Sequence, residues 1–362
     1  MPATVDGGRS AKVAMVQRIL RGRWLYLLLA AVVMVIYTVG MPVETVTILE
    51  KPAQSSRVRA SLEWWPKEID AVTLRERVNE QPLLGWLLWF LSLFIVGMMV
   101  GGLVSSWRSL FSGRARSMWV FSGRRPPAWS FAELGRIVAL SIVAFSLLPL
   151  VRFAPPVRMF GLSPASHLWI PLSMLLLDAF LVLIIFAFAS GKGMPVWRAV
   201  GLSPRRIVPS LAEGFKGYLV VFPWLFLLLF LTVELVRFFH WTPPIEPIER
   251  LLFQEADPVV VGLLVVLSCV IGPIAEELFF RGVLFAAARR HLSRGGAILA
   301  SGAAFSLIHT NPVGFLPILL IGSLLAYLYE RTGSLAAPIA VHILHNTFLM
   351  SIGLIVRQLM LH

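Results

Sequence analysis

Long apolar segments recur along the whole chain, and each is close to the length needed to cross a lipid bilayer. About 20 mostly apolar residues span the hydrocarbon core as a helix. Because every backbone polar group must be satisfied within lipid, such segments predict an all-α, polytopic transmembrane helix bundle with about eight or nine spans. The candidate spans lie at approximately 24–42, 83–105, 135–152, 168–190, 215–238, 258–285, 297–310, 313–330 and 335–356.

The charges of the chain fit a membrane protein better than a nucleic-acid-binding protein. Only 14% of the residues are charged, whereas soluble domains carry about 25%. The net charge of +13 comes from basic residues in alternate loops, at 9–23, 108–125, 192–206 and 289–294. This bias indicates an integral membrane protein, of the plasma (inner) membrane, with a cytoplasmic amino terminus and no nucleic-acid partner.

Two adjacent carboxylates, Glu276 and Glu277, lie within the apolar run 259–281. Charged side chains inside a membrane are costly and usually face a partner or a wet cavity. Arg281 follows Glu277 by four residues, so the two share one helix face, whereas Glu276 points about 100° away. A structural ion pair is the simpler explanation. Two glutamates facing one arginine leave a negative charge over, which favours a functional site.

Two later apolar segments carry further polar residues at similar depth. Counted at 1.5 Å per residue from the cytoplasmic ends of their helices, Glu276 lies about 20 Å in and His309 about 18 Å in. His342 and Asn346, four residues apart on one face, lie about 10 to 16 Å in. The four side chains are therefore predicted to gather around one pocket in the cytoplasmic half of the bilayer.

These residue types could together hydrolyse a peptide bond without a covalent intermediate. A carboxylate in an apolar cavity can act as a general base, and a histidine can orient water or bind a metal. An asparagine and a histidine can donate hydrogen bonds to an oxyanion. If a metal is bound, Glu276, His309 and His342 could hold Zn²⁺ as three protein ligands with an open position. Direct activation of water by Glu276 is the alternative, and the sequence does not choose between them.

The ordered motifs EExxxR, FxxxH and HxxxN resemble those of the CPBP family of intramembrane (metallo)proteases, the CAAX prenyl protease and bacteriocin-processing group that includes the type II CAAX endopeptidases. They read here as Glu276-Glu277 to Arg281, Phe305 to His309 and His342 to Asn346. The resemblance covers roughly residues 257–356. It implies an all-helical membrane fold, with Glu276 as the water-activating residue and His309 as its partner. It also implies that His342 and Asn346 either stabilise the oxyanion or act as a ligand pair, and that Glu277 and Arg281 support the site.

The resemblance divides the chain into two predicted regions. Residues 211–362 would form the protease-like membrane domain, and residues 1–210, with about four spans, would be a lineage-specific addition. The implied substrate is a membrane-associated peptide or protein, either prenylated or unmodified.

Two other functions stay open at this stage. Asp178 is an acid within the fourth span, for which a structural role is preferred, but Glu276, His309 and Asp178 could also form the relay of a proton-coupled transporter. Transporters often contain matching repeats, and none is evident here. A catalytically inactive family member could act as an immunity or binding protein, although this chain retains all the motif residues.

Overall fold

The computed structural model describes residues 5–38, 71–111, 121, 126–151, 166–203, 206–240, 247–309 and 312–360. Helices make up nearly all of this part of the chain, and it contains no strand. The helices are α1 (Val5–Arg21), α2 (Arg23–Thr38), α3 (Ala71–Glu80), α4 (Pro82–Phe111), α5 (Phe131–Val151), α6 (Trp169–Ser190), α7 (Val196–Ala199), α8 (Ile207–Phe238), α9 (Pro247–Gln254), α10 (Pro258–Ala288), α11 (Arg294–Ile308), α12 (Phe315–Thr332) and α13 (Ala336–Met360). The all-α polytopic bundle expected from the sequence is confirmed.

Among the described residues, seven helices are long and apolar enough to cross a membrane, namely α4, α5, α6, α8, α10, α12 and α13. The two remaining predicted spans are shorter. The segment 297–310 corresponds to α11, whose 15 residues extend only about 23 Å. The segment 24–42 corresponds to α2, which has 16 residues. Residues 39–42 of the predicted segment lie outside the described ranges.

Two hydrophobic clusters hold the bundle together. One lies where α8 packs against α4, α12 and α13, and includes the buried side chains of Tyr218, Phe222 and Leu325. The other joins α5 and α6 to the second half of α10, around Ile185 and Phe285. The helix α10 therefore lies between the amino-terminal helices and the last three helices, in contact with both.

Small residues allow α11 and α12 to approach very closely. The Cα of Gly302 lies next to Gly322, and a Cβ added to Gly302 would collide with the backbone and side chain of Ser323. In lipid, helices gain no hydrophobic driving force by associating, so they depend on close van der Waals packing. Small residues allow the two backbones to approach closely enough for it. The close approach matters for the site, since it fixes the position of the Gly322 carbonyl group beside α10.

Replacing Gly302 with alanine is expected to destabilise the protein by about 1–3 kcal/mol, as for other overpacked contacts. The matched control is Gly295→Ala in the same helix, where a new Cβ would meet nothing within 4 Å. This control should be neutral or stabilising by up to about 1 kcal/mol, because alanine is the better helix former. Thermal unfolding of both variants in detergent measures the difference, and equal midpoints would contradict the proposed close contact.

Candidate active site

The helix α10 is wound irregularly around its two glutamates. Wider π-helical turns at Leu267–Ile271 and Leu278–Phe285 flank an α-helical segment, Gly272–Glu277. The N–H of Gly272 donates to the carbonyl oxygen of Leu267, five residues earlier. Pro273 follows directly, and proline has no N–H and crowds the preceding turn. A wider turn relieves this crowding, and π-helical turns occur frequently at functional sites.

Glu277 and Arg281 form a buried ion pair in the middle of this helix. Arg281 Nη1 donates to Glu277 Oε1 at 2.6 Å, and neither side chain has exposed area. Arg281 Nη2 donates to the carbonyl oxygen of Gly322 at 2.8 Å, and the guanidinium group lies 4.7 Å from the ring centre of Phe305. The arginine therefore ties α10 to both α11 and α12.

His342 of α13 bridges the two glutamates. Its Nδ1 lies 3.0 Å from Glu277 Oε1. The same oxygen belongs to the carboxylate of the ion pair and accepts a hydrogen bond from Arg281. A carboxylate oxygen only accepts hydrogen bonds, so Nδ1 carries the proton and donates it. This bond turns Nε2 towards Glu276, whose Oε2 is 3.6 Å away. The ion pair thus fixes the orientation of the histidine.

Glu276 is the accessible member of the glutamate pair. Its side chain is 34% exposed, whereas that of Glu277 is fully buried. Its Oε2 atom is nevertheless inaccessible and has no hydrogen-bond partner among the described residues. An unsatisfied carboxylate oxygen beside a histidine nitrogen is costly unless water or substrate serves it.

His309 lies at the end of α11 and does not contact either glutamate in the described part of the chain. Its Nδ1 donates to the carbonyl oxygen of Phe305 at 2.7 Å, and its ring packs on that phenylalanine with centres 4.5 Å apart. The same ring of Phe305 lies 5.4 Å from that of His342, so it separates the two histidines. The helix ends at Ile308, which places His309 on the last turn, where its ring bonds back to the helix.

Asn346 contacts the irregular helix rather than Glu276. Its Nδ2 donates to the carbonyl oxygen of Ser268, in the first π-helical turn, at 2.8 Å. An amide nitrogen carries two N–H groups, so one bond leaves a second donor. The structure thus joins Glu277, Arg281 and His342 by hydrogen bonds and places Glu276 3.6 Å from His342, while His309 and Asn346 bond to the backbone.

A three-ligand metal site does not fit this arrangement. Within the described ranges, no three side chains of the His, Cys, Asp and Glu types group closely enough to hold a metal ion. Glu276 and His342 are close together, but the Nδ1 of His309 is bonded to Phe305, and its ring faces that phenylalanine.

One acid near the site was given a structural role from the sequence. Asp178 of α6 approaches Glu276 across Gly272, where its Oδ2 lies 3.9 Å from the position of a hypothetical glycine Cβ. Its position in the middle of an otherwise uncharged span could have indicated a role in the site. Nothing in the sequence, however, indicates which helix it faces.

Comparisons with known proteins match the part of the chain that contains this site. Residues 258–348 match the sequence model of the family described as "Type II CAAX prenyl endopeptidase Rce1-like". A curated relative from Bacillus subtilis (strain 168), named "Putative membrane peptidase YdiL", is 33% identical over 90 residues, which are 25% of this chain. The chain spans 37% of the length of that relative. No solved structure matches the chain.

The matched segment begins at the first residue of α10 and ends within α13, so it contains all three motifs and every residue of the buried Glu277–Arg281–His342 chain. Through residues 258–348, the protein is similar to the Rce1-like type II CAAX prenyl endopeptidases.

Proposed function

We propose that this protein is an intramembrane endopeptidase in which Glu276 activates water to hydrolyse a peptide bond of a membrane-associated peptide or protein. The observation that carries the proposal is the unsatisfied Oε2 of Glu276 beside a histidine whose orientation a buried ion pair fixes. A general base must lie within reach of the water that it deprotonates. The family match supports a protease in general.

The proposed reaction begins when a water molecule enters between Glu276 Oε2 and Nε2 of His342, which lie 3.6 Å apart and must separate to admit it. Glu276 takes one proton while the water oxygen bonds to the scissile carbonyl carbon, which becomes a tetrahedral oxyanion. The second N–H of Asn346 is the donor available to that oxyanion, and His309 adds its Nδ1 N–H if substrate binding releases that group from the carbonyl oxygen of Phe305. Glu276 then passes its proton to the leaving nitrogen, and the C–N bond breaks.

The metal-assisted form of this reaction needs a different arrangement of His309. Its ring would have to leave the carbonyl group of Phe305 and turn towards Glu276 before the three ligands could meet one ion. We derive no step through a metal. Dialysis of the purified protein against a chelator, followed by addition of Zn²⁺, separates the two forms, because only the metal-assisted form loses and regains activity.

The remaining features of the proposal follow from the sequence. The protease unit is proposed to comprise residues 211–362, with residues 1–210 as an addition, and the basic loops place the amino terminus in the cytoplasm. A prenylated substrate is proposed only because the matched family is described as prenyl endopeptidases. The family match favours a protease over a proton-coupled transporter.

A panel of internally quenched peptides tests the function directly. Each peptide is made with a farnesylated cysteine and without it, and is incubated with the purified protein in detergent micelles. We expect cleavage of at least one peptide, and faster cleavage of the farnesylated member of that pair. A parallel comparison of membrane peptides from cells that express the wild type or Glu276→Gln extends the test beyond the panel. The absence of any difference in both experiments would contradict a protease.

A further inference from the structure

An isolated acid lies near the middle of α6. Asp178 is the tenth of 22 residues in this helix and its only charged residue. It makes no hydrogen bond or ion pair with any other residue that the structure describes. An acid at this depth in a membrane costs several kcal/mol. Such residues are therefore rare, usually face a polar partner or a wet cavity, and often have a function. The structural role that the sequence favoured, pairing with another helix, needs a polar partner, and none of the described residues supplies one.

The side that Asp178 faces is the catalytic segment of α10. The helix α6 packs against Gly272–Glu277, and Gly272 forms the contact. A Cβ added to Gly272 would lie 3.9 Å from Asp178 Oδ2 and 3.9 Å from Glu276 Oε1. Gly272 therefore borders both carboxyl groups at van der Waals distance.

A third oxygen borders Gly272. The carbonyl oxygen of Leu267 lies 3.0 Å from the hypothetical Cβ of Gly272. A buried water needs two to four polar partners. Here its two O–H groups can donate to Asp178 Oδ2 and Glu276 Oε1, whereas the Leu267 carbonyl oxygen already accepts the N–H of Gly272.

We propose that Asp178 is a positioning residue for Glu276, which it holds through a water molecule bound beside Gly272. Glu276 then has its Oε1 fixed on the Asp178 side and its Oε2 directed at Nε2 of His342, where the nucleophilic water is placed. This inference rests on the proposed function. It adds to the site a residue from α6, which lies outside the matched residues 258–348.

Three variants test the proposal, with kcat, KM and the unfolding temperature in detergent measured for each on the peptide that is cleaved fastest. For Asp178→Leu, we expect kcat to fall about tenfold or more, because Glu276 is misplaced, while KM stays within about twofold. The unfolding temperature should stay equal or rise, because an isolated acid has left the helix interior. Asp178→Asn keeps two polar atoms and should retain more activity than Asp178→Leu.

Gly272→Ala adds a methyl group beside the proposed water, 3.9 Å from each carboxyl oxygen and 3.0 Å from the Leu267 carbonyl oxygen, so that the water is displaced. It should lower kcat by a similar factor. Because both changes remove the same water, the double variant Asp178→Leu/Gly272→Ala should be no slower than the slower single variant. Additive losses would contradict a shared water.

The outcomes separate this inference from the proposed function. Glu234→Gln, in an exposed pair with Arg237 on α8, serves as the control for the loss of a carboxylate and should keep wild-type kcat. A lower unfolding temperature for Asp178→Leu, with kcat lost in proportion to folded protein, would show a structural role and overturn the inference. Unchanged kcat would overturn it as well. If Glu276→Gln is inactive in the same assay, either result leaves the proposed function intact, whereas an active Glu276→Gln contradicts the function itself.

Discussion

Replacing Glu276 with glutamine is expected to lower kcat for peptide cleavage by about 10²- to 10⁴-fold, the range that a positioned general base contributes. Glutamine has nearly the same shape but cannot take a proton from water. The fold should not suffer, because Glu276 makes no hydrogen bond within the described part of the chain and its side chain is 34% exposed. We therefore expect this variant to lose cleavage rate while its unfolding temperature stays close to that of the wild type.

The measurement is single-turnover cleavage of the peptide that the wild type cleaves fastest, together with thermal unfolding in the same detergent. Glu234→Gln is the matched control, since it makes the same chemical change in an exposed pair on α8, outside the three motifs. A Glu276→Gln variant that cleaves at the wild-type rate would remove Glu276 from the mechanism. A slow but badly unfolded variant would instead assign Glu276 a structural role.

The different surroundings of the two adjacent glutamates could be predicted from helix geometry alone. Residues four apart share a face, so Glu277 was expected beside Arg281 and Glu276 away from it, and the structure has this arrangement. The local argument holds because the contact lies within one helix. The spans were predictable for a related reason, since an apolar run of sufficient length has few alternatives in a bilayer.

Contacts between helices were less predictable. Equal depth in the membrane suggested that His309 and Asn346 would reach the pocket directly, but depth fixes only one of three coordinates. The ring of His309 bonds back to its own helix, and Asn346 bonds to the Ser268 carbonyl group in a π-helical turn. That turn depends on Pro273 and on packing against α6 and α13, which no periodicity in the sequence reports. Whether these two residues act in catalysis stays a prediction.

Replacing Arg281 with methionine is expected to lower the free energy of unfolding by about 3–5 kcal/mol, the usual cost of removing one partner from a buried ion pair. Glu277 would remain fully buried with His342 as its only hydrogen-bond partner among the described side chains. The bond to the Gly322 carbonyl group, which ties α10 to α12, would also be lost. The matched control is Arg237→Met, whose exposed pair with Glu234 should contribute about 0–1 kcal/mol.

The double variant Glu277→Leu/Arg281→Met distinguishes a stabilising pair from an orienting one. Replacing a whole buried pair with apolar residues is often neutral or stabilising, so most of the lost stability should return. Activity should not return, because Nδ1 of His342 would lose the carboxylate that fixes its orientation towards Glu276. Unfolding in detergent and the peptide assay measure both properties on the same samples. If the double variant recovered both, the ion pair would only hold the helices together, and the orientation of His342 would have to come from elsewhere.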